Sequence, residues 1–189
     1  QEYLAAWVFT CLPPTHEGPA AFFKQHLGDP VWEEVLLLRF YIVLRTPGGG
    51  GEGAFDTIVA VLLKALERAD SPSGWLTLAR AVRDNLDFSK QERRTILERA
   101  LGLWLEAPRS SGVWFNVLQE IVLFADKARD ALKELVSETW KKGAPARALA
   151  ALHLGARLFG FPEDAASELR RRDDLGGMLP DLVVFWEEP

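Results

Sequence analysis

The sequence predicts an all-helical fold, a stack of antiparallel helical hairpins with about eleven helices in total. Three observations lead to this reading. A tryptophan recurs near the start of three successive helix-like segments, Trp32, Trp75 and Trp114, at intervals of roughly 40 residues. Between the Pro/Gly breakers the apolar residues return with a period of about 3.6, and no run alternates as a half-buried strand would. Each Trp-led apolar segment is also followed by a second, more charged helical pattern. A pair built this way cannot bury its own apolar face and needs its neighbours.

The first helix is expected over Glu2 to Leu12 and is apolar on nearly all sides, with Leu4, Ala5, Ala6, Trp7, Val8 and Phe9. Pro13-Pro14 ends it, and a short helix follows from Pro19 to Leu27. Asp29 then reads as an N-cap with Pro30 at the first helical position, opening a very apolar helix to Arg45. Its exit is Thr46-Pro47 and the glycine-rich run Gly48 to Gly53, which reads as a flexible link, a shortened native loop or an engineered junction. Ala54 to Ala69 is amphipathic, with Phe55, Ile58, Val59, Leu62, Leu63 and Leu66 on one face.

Ser71-Pro72-Ser73-Gly74 breaks the chain before a helix expected over Trp75 to Leu86. Ser89-Lys90-Gln91-Glu92 is a capping box, and the helix it starts turns Leu97, Ala100, Leu101 and Trp104 inward while exposing Thr95, Arg99 and Glu106. Ser110-Ser111-Gly112-Val113 precedes the third Trp helix, which reaches Ala125. Asp126 is read as the cap of the next helix, whose inward face is Ala128, Leu132, Leu135, Val136 and Thr139. Pro145 and Pro162 each occupy a first helical turn, and an apolar segment, Leu179 to Trp186, ends the chain.

Pairing these segments gives hairpins over 30–69, 74–106, 113–142 and 145–173. On Trp32, Trp75 and Trp114 with their preceding Pro/Gly clusters, the region 30–173 resembles HEAT or armadillo-type helical repeats. The resemblance implies an α-solenoid with alternating outer and inner helices and a role in binding other macromolecules. The alternative is an irregular helical bundle. The whole chain, 1–189, reads as a single all-helical domain. Its parts are N-terminal helices over 1–28, the hairpins over 30–173 and the apolar segment over 175–189. The unusually apolar ends and the initial Gln1 suggest a piece of a longer chain.

Composition narrows the function. With 189 residues, 48% of them apolar, the chain can build a sizeable core. A net charge of -5 argues against a general nucleic-acid or acidic-lipid binder. The longest apolar run, Val35 to Leu44, is interrupted by Arg39 and is far short of the roughly 20 residues that span a bilayer. Cys11 is alone, and neither Asn85 nor Asn116 opens a glycosylation motif, so the expected location is intracellular, cytoplasmic or nuclear.

Candidate chemistry is sparse. His16, His26 and His153 do not stand at metal-ligand spacing, so no metal is expected. Nothing near Cys11 would lower its pKa. The Gly48–Gly53 run lacks a following Gly-Lys-Ser/Thr, so no nucleotide cofactor is expected there. Glu33-Glu34 and Asp173-Asp174 are adjacent on helices and diverge by about 100°, which suits neither for shared acid–base work. Arg170-Arg171-Arg172 stands at a helix C-terminus among acids, where the helix dipole explains it. Arg39, amid Leu36, Leu37, Leu38, Phe40 and Tyr41, calls for a buried pair or an interface.

The outward positions of the second helices read Thr57, Lys64 and Arg68, then Thr95 and Arg99, then Asp130, Glu134 and Lys141. Mixed signs of this kind suit a polar groove for a protein partner, and equally plain solvated faces. From them Lys64, Arg68, Arg99, Glu134 and Lys141 are the candidate partner-binding residues. The expected function is a non-catalytic protein–protein interaction or scaffold domain of a larger complex, with no small-molecule substrate. Two alternatives remain. One is an all-helical nucleic-acid-binding subunit using Arg93, Arg94, Arg99 and the Arg170 cluster. The other is a DNA glycosylase of HEAT-like type, which would hold alkylated bases with tryptophans and an aspartate.

Overall fold

A computed structural model describes residues 24–45, 59–67, 71–106 and 112–160, together with positions 171 and 174. Among these residues every regular element is helical and no strand occurs. The elements are α1 (Glu33–Arg45), α2 (59–67), α3 (Pro72–Arg83), α4 (Lys90–Glu106), α5 (Gly112–Phe124), α6 (Asp126–Lys142) and α7 (Pro145–Phe159). The expected helix at Glu2–Leu12, the Gly48–Gly53 run, Phe55, Thr57, Ile58, Arg68, Pro162, Asp173 and Leu179–Trp186 lie outside the described residues.

Local chemistry explains most of the helix starts. At Ser89 the capping box is complete: the backbone N–H of Ser89 donates to Glu92 Oε2 at 2.9 Å, and the Glu92 N–H donates to Ser89 Oγ at 3.3 Å. Pro145 occupies the first turn of α7 as expected. Three starts depart from the sequence reading. Asp29 does cap, accepting from the Val31 N–H at 3.0 Å, but it caps a turn, and α1 begins only at Glu33. The Ser71–Gly74 cluster is the first turn of α3 and does not precede it. Ser71 is the N-cap, its hydroxyl accepting from Gly74 N–H at 3.3 Å, with Pro72 just inside the helix. Asp126 is not a cap. Ala125 takes that position with no side-chain bond, because it is buried and its carbonyl and N–H join α5 directly to α6.

The turn after α3 closes on Asn85, whose φ of 58° is left-handed, a conformation Asn tolerates better than most residues. Leu86 N–H reaches back to Ala81 O at 3.2 Å, and Leu86 and Phe88 are buried beneath the turn. This turn also ties α1 and α5 to α3. Tyr41 of α1 donates its hydroxyl to Asp84 O at 2.7 Å, and the Asn85 amide donates to Phe124 O at 2.7 Å. At Gly28 φ is +88°, and an added Cβ would lie 2.6 Å from Ser73 Oγ, so only glycine admits this approach to α3.

Packing divides the helices into two layers. In one, α3 packs against both α1 and α5; in the other, α4 packs against α6; and α3–α4 and α5–α6 are joined as neighbours across the layers. The α2 segment buries Val59, Leu62 and Leu66 in the same core, with Leu66 closing on Gly74 at the start of α3. A single hydrophobic cluster runs from Leu36 to Leu154. The indoles of Trp32, Trp75 and Trp114 all meet it: Trp75 is buried, and Trp32 and Trp114 are half-buried against it. Trp32 also stacks on His26, with ring centroids 4.4 Å apart. Arg39 is buried, and desolvation pulls its guanidinium below the usual arginine range.

The last helix, α7, sits chiefly on α6, and its small residues allow the close approach. A Cβ on Gly155 would stand 3.1 Å from Val136 Cγ1. From there α7 reaches α5, where Arg157 lies over the Phe115 ring at 4.0 Å. It also reaches α4, where Arg147 lies over Gly102. A smaller cluster of Trp140, Ala151 and Leu152 completes the α6–α7 contact.

Two outcomes follow from this burial. Leu78, fully buried on α3, and Leu123, 64% exposed at the end of α5, separate core from surface. Leu78→Ala should cost about 2–5 kcal/mol in denaturant unfolding. Leu123→Ala should stay within about 0.5 kcal/mol. Half-buried His153 has its pKa lowered by desolvation and by the nearby Arg157 charge. Below the unfolded value of 6.5 the unfolded chain therefore binds the proton more readily, and stability falls as the pH drops. His153→Gln should flatten that fall in unfolding measured at about pH 7 and about pH 5.5.

Candidate functional site

The second-layer face, formed by α2, α4 and α6, carries the described candidate residues, and it includes an open groove of about 450 Å³. Leu66, Trp75 and Gly102 line it on the inside. Thr95, Glu98, Arg99 and Glu106 of α4 line it together with Glu67 of α2 and Arg147 of α7. The α4 contribution follows from helical spacing: positions 95, 99, 102 and 106 recur every three or four residues and share one side. The same spacing turns Ile96, Leu97, Ala100, Leu101 and Trp104 into the core.

Of the five expected partner-binding residues, Arg99 lies in this groove, half-buried, beside Thr95. Both were expected to be fully outward. They are partly covered because α2 and α7 rise on either side of α4 at this point. Lys64 is exposed on α2. Glu134 is exposed on α6, 3.9 Å from Arg94 Nη1. Lys141 leans over the neighbouring Trp140 ring, 5.6 Å from its centroid. Arg68 lies outside the described residues. Asp130 is exposed on α6. The sequence gives no sign of Arg147 beside Gly102, since only the placement of α7 brings Arg147 to α4.

Arginines on the two middle helices join each layer sideways. On α4, Arg94 donates to Glu98 Oε1 and to Glu138 Oε2, both at 2.8 Å, so α4 is clasped to α6. These bonds, Glu138 first, raise the Arg94 pKa. On the opposite face, Arg80 of α3 pairs with Glu33 of α1. Arg83 bonds Asp84 at 2.7 Å and Glu120 of α5 at 3.0 Å. Its pKa is raised, chiefly by the Asp84 bond and against the cost of desolvation. Arg93 donates to Phe88 O at 2.7 Å.

Other candidate chemistry is not assembled among the described residues. No group of three His, Cys, Asp or Glu side chains could hold a metal there, and no helix is long and apolar enough to cross a membrane. Arg171 is exposed, while Arg170 and Arg172 are outside the described residues. A smaller concavity of about 210 Å³ lies at the turn after α3, between Asn85, Arg93 and Lys127. No protein-family model, curated protein or solved structure matches the chain.

Proposed function

We propose that this chain is a non-catalytic protein-interaction domain, a short stack of helical hairpins of HEAT or armadillo type that serves as a scaffold in a larger assembly. The observation that carries the reading is the groove over α4, where acids and arginines of both signs surround a floor of Leu66, Trp75 and Gly102. An apolar floor with a polar rim is how a protein-recognition surface is built. The alternation of neighbours, α1–α3–α5 in one layer and α4–α6 in the other, supports the repeat reading. The capping α7 departs from a regular repeat, because it sits chiefly on α6.

A nucleic-acid backbone is the weaker reading of the same face. Arg93 and Arg94 are engaged with Phe88 O, Glu98 and Glu138, and the groove holds three carboxylates beside its two arginines. A track of this kind repels phosphates about as well as it attracts them. A base-flipping enzyme of HEAT-like type fares no better, since Trp75 is packed in the core and unable to stack on an extruded base.

Photo-crosslinking in cells of the source organism tests the reading. Crosslinkers at Lys64, Thr95 and Glu134 should yield a shared protein adduct, and crosslinkers at Asn116 and Gln119, exposed on α5, should not. Equal labelling from both faces, or nucleic-acid adducts, would contradict it.

A further inference from the structure

Trp75 lies in the floor of the groove over α4, only 2% exposed, beside Leu66 and Gly102. An indole carries a single donor, its Nε1–H, and a buried tryptophan ordinarily gives it to an acceptor. Here Nε1 is buried with its ring, and among the described residues no acceptor bonds it. Leaving a buried donor unanswered costs stability, and native chains keep few such groups.

Two features of the groove bear on what could answer that donor. Its α4 wall runs from Thr95 to Glu106, three turns of helix and about 16 Å, the reach of roughly five residues of extended chain. Gly102 interrupts this wall in the interior of a 17-residue helix, where alanine is the better residue. The packing does not ask for glycine: among the described residues an added Cβ would meet one atom within 4 Å, Arg147 Nη2 at 3.5 Å, the tip of a flexible side chain. What the missing side chain does allow is the approach of another main chain to the α4 backbone beside Trp75. An extended peptide fits all three observations. It spans the wall, lies close to the glycine and presents a carbonyl at every residue. A compact ligand with one carbonyl would answer the donor and leave most of the wall uncovered.

We propose that the groove over α4 binds an extended segment of a partner protein, about five residues long, with one of its main-chain carbonyls accepting from Trp75 Nε1. The inference rests on the interaction-domain reading and names the seat and the bond made in it. Before binding, the N–H is shut beneath the floor. The arriving segment parts Leu66 from the ring, and the new bond recovers what the unanswered donor costs.

NMR of the full chain tests it through the indole N–H signals, one for each of the seven tryptophans. Trp75→Phe assigns the Trp75 signal by its loss. In the unbound protein that signal should exchange slowly with solvent. Acetylated, amidated penta-alanine should move it downfield and saturate, as a proton gaining an acceptor does. N-methylacetamide, a single amide, should need at least about tenfold more, because it covers so little of the wall. Trp75→Phe should weaken the peptide by about tenfold, read from the backbone signals of Thr95 and Gly102, the loss expected for one hydrogen bond left unmade. Gly102→Ala, which leaves the core intact, should weaken it too while the melting temperature rises. A Trp75 signal that exchanges as fast as exposed indoles would overturn the proposal, since water alone would then answer the donor. A signal unmoved by the peptide, an equal response to N-methylacetamide, or unchanged binding to either variant would overturn it as well. If the peptide fails while crosslinks from Lys64 and Glu134 still form, the groove chemistry is wrong and the interaction-domain reading stands.

Discussion

The burial of α3 is the constraint on which the described structure depends. This helix has neighbours on both flanks of its own layer, α1 and α5, and another, α4, behind it. Trp75, Leu78, Ala79, Ala81 and Val82 are all at most 2% exposed. Each large apolar side chain removed from water in this way contributes about 1.5–3 kcal/mol. The small residues Gly74, Ala79 and Ala81 let neighbouring elements come close. A helix enclosed on three sides keeps only a narrow strip toward water, and Arg80 and Arg83 occupy it. Their guanidiniums reach sideways to Glu33 and Glu120, so the exposed strip also sets how α1 and α5 are rotated about α3. Partly exposed pairs like these add little energy, on the order of 1 kcal/mol or less. Their contribution is to orientation.

The site inherits its form from that core. Trp75 stands near the start of α3, and its buried ring forms part of the groove floor that faces α4. The second layer then repeats the logic of the first. Its middle helix, α4, turns one side into the core and bonds sideways to α6 through Arg94. Its remaining side is flanked by α2 and by the start of α7, and the groove is the space they leave over Gly102. A concave, mixed-sign surface thus arises from the stacking itself.

Much of the helical arrangement was legible in the residues because it depends on local chemistry. The Ser89–Glu92 reciprocal bonds, Pro145 at a helix start and the inward faces of α4 and α6 all follow from spacing and side-chain type. The helix starts at Ser71 and Asp126 were misjudged for opposite reasons. Ser-Pro-Ser-Gly looks like a breaker, yet a serine cap with proline just inside a helix is a strong beginning. Asp126 looks like a cap, yet a buried Ala125 leaves no room for a separate turn. The groove was half legible. Arg99 and Thr95 could be placed on the outer side of α4, whereas their partial covering, and the meeting of Arg147 with Gly102, depend on where a helix more than 40 positions away comes to rest. Trp140 was missed as a core residue for the same reason, its partners Ala151 and Leu152 lying on α7.

Native-state hydrogen exchange tests the central place of α3 most directly. If α3 is the element around which both layers are assembled, amides from Leu78 to Val82 should exchange only through global unfolding, with the free energy that denaturant unfolding reports. The α7 amides should open at lower free energy, since that helix rests chiefly on α6. Exchange of α3 through a local opening easier than that of α7 would contradict the account.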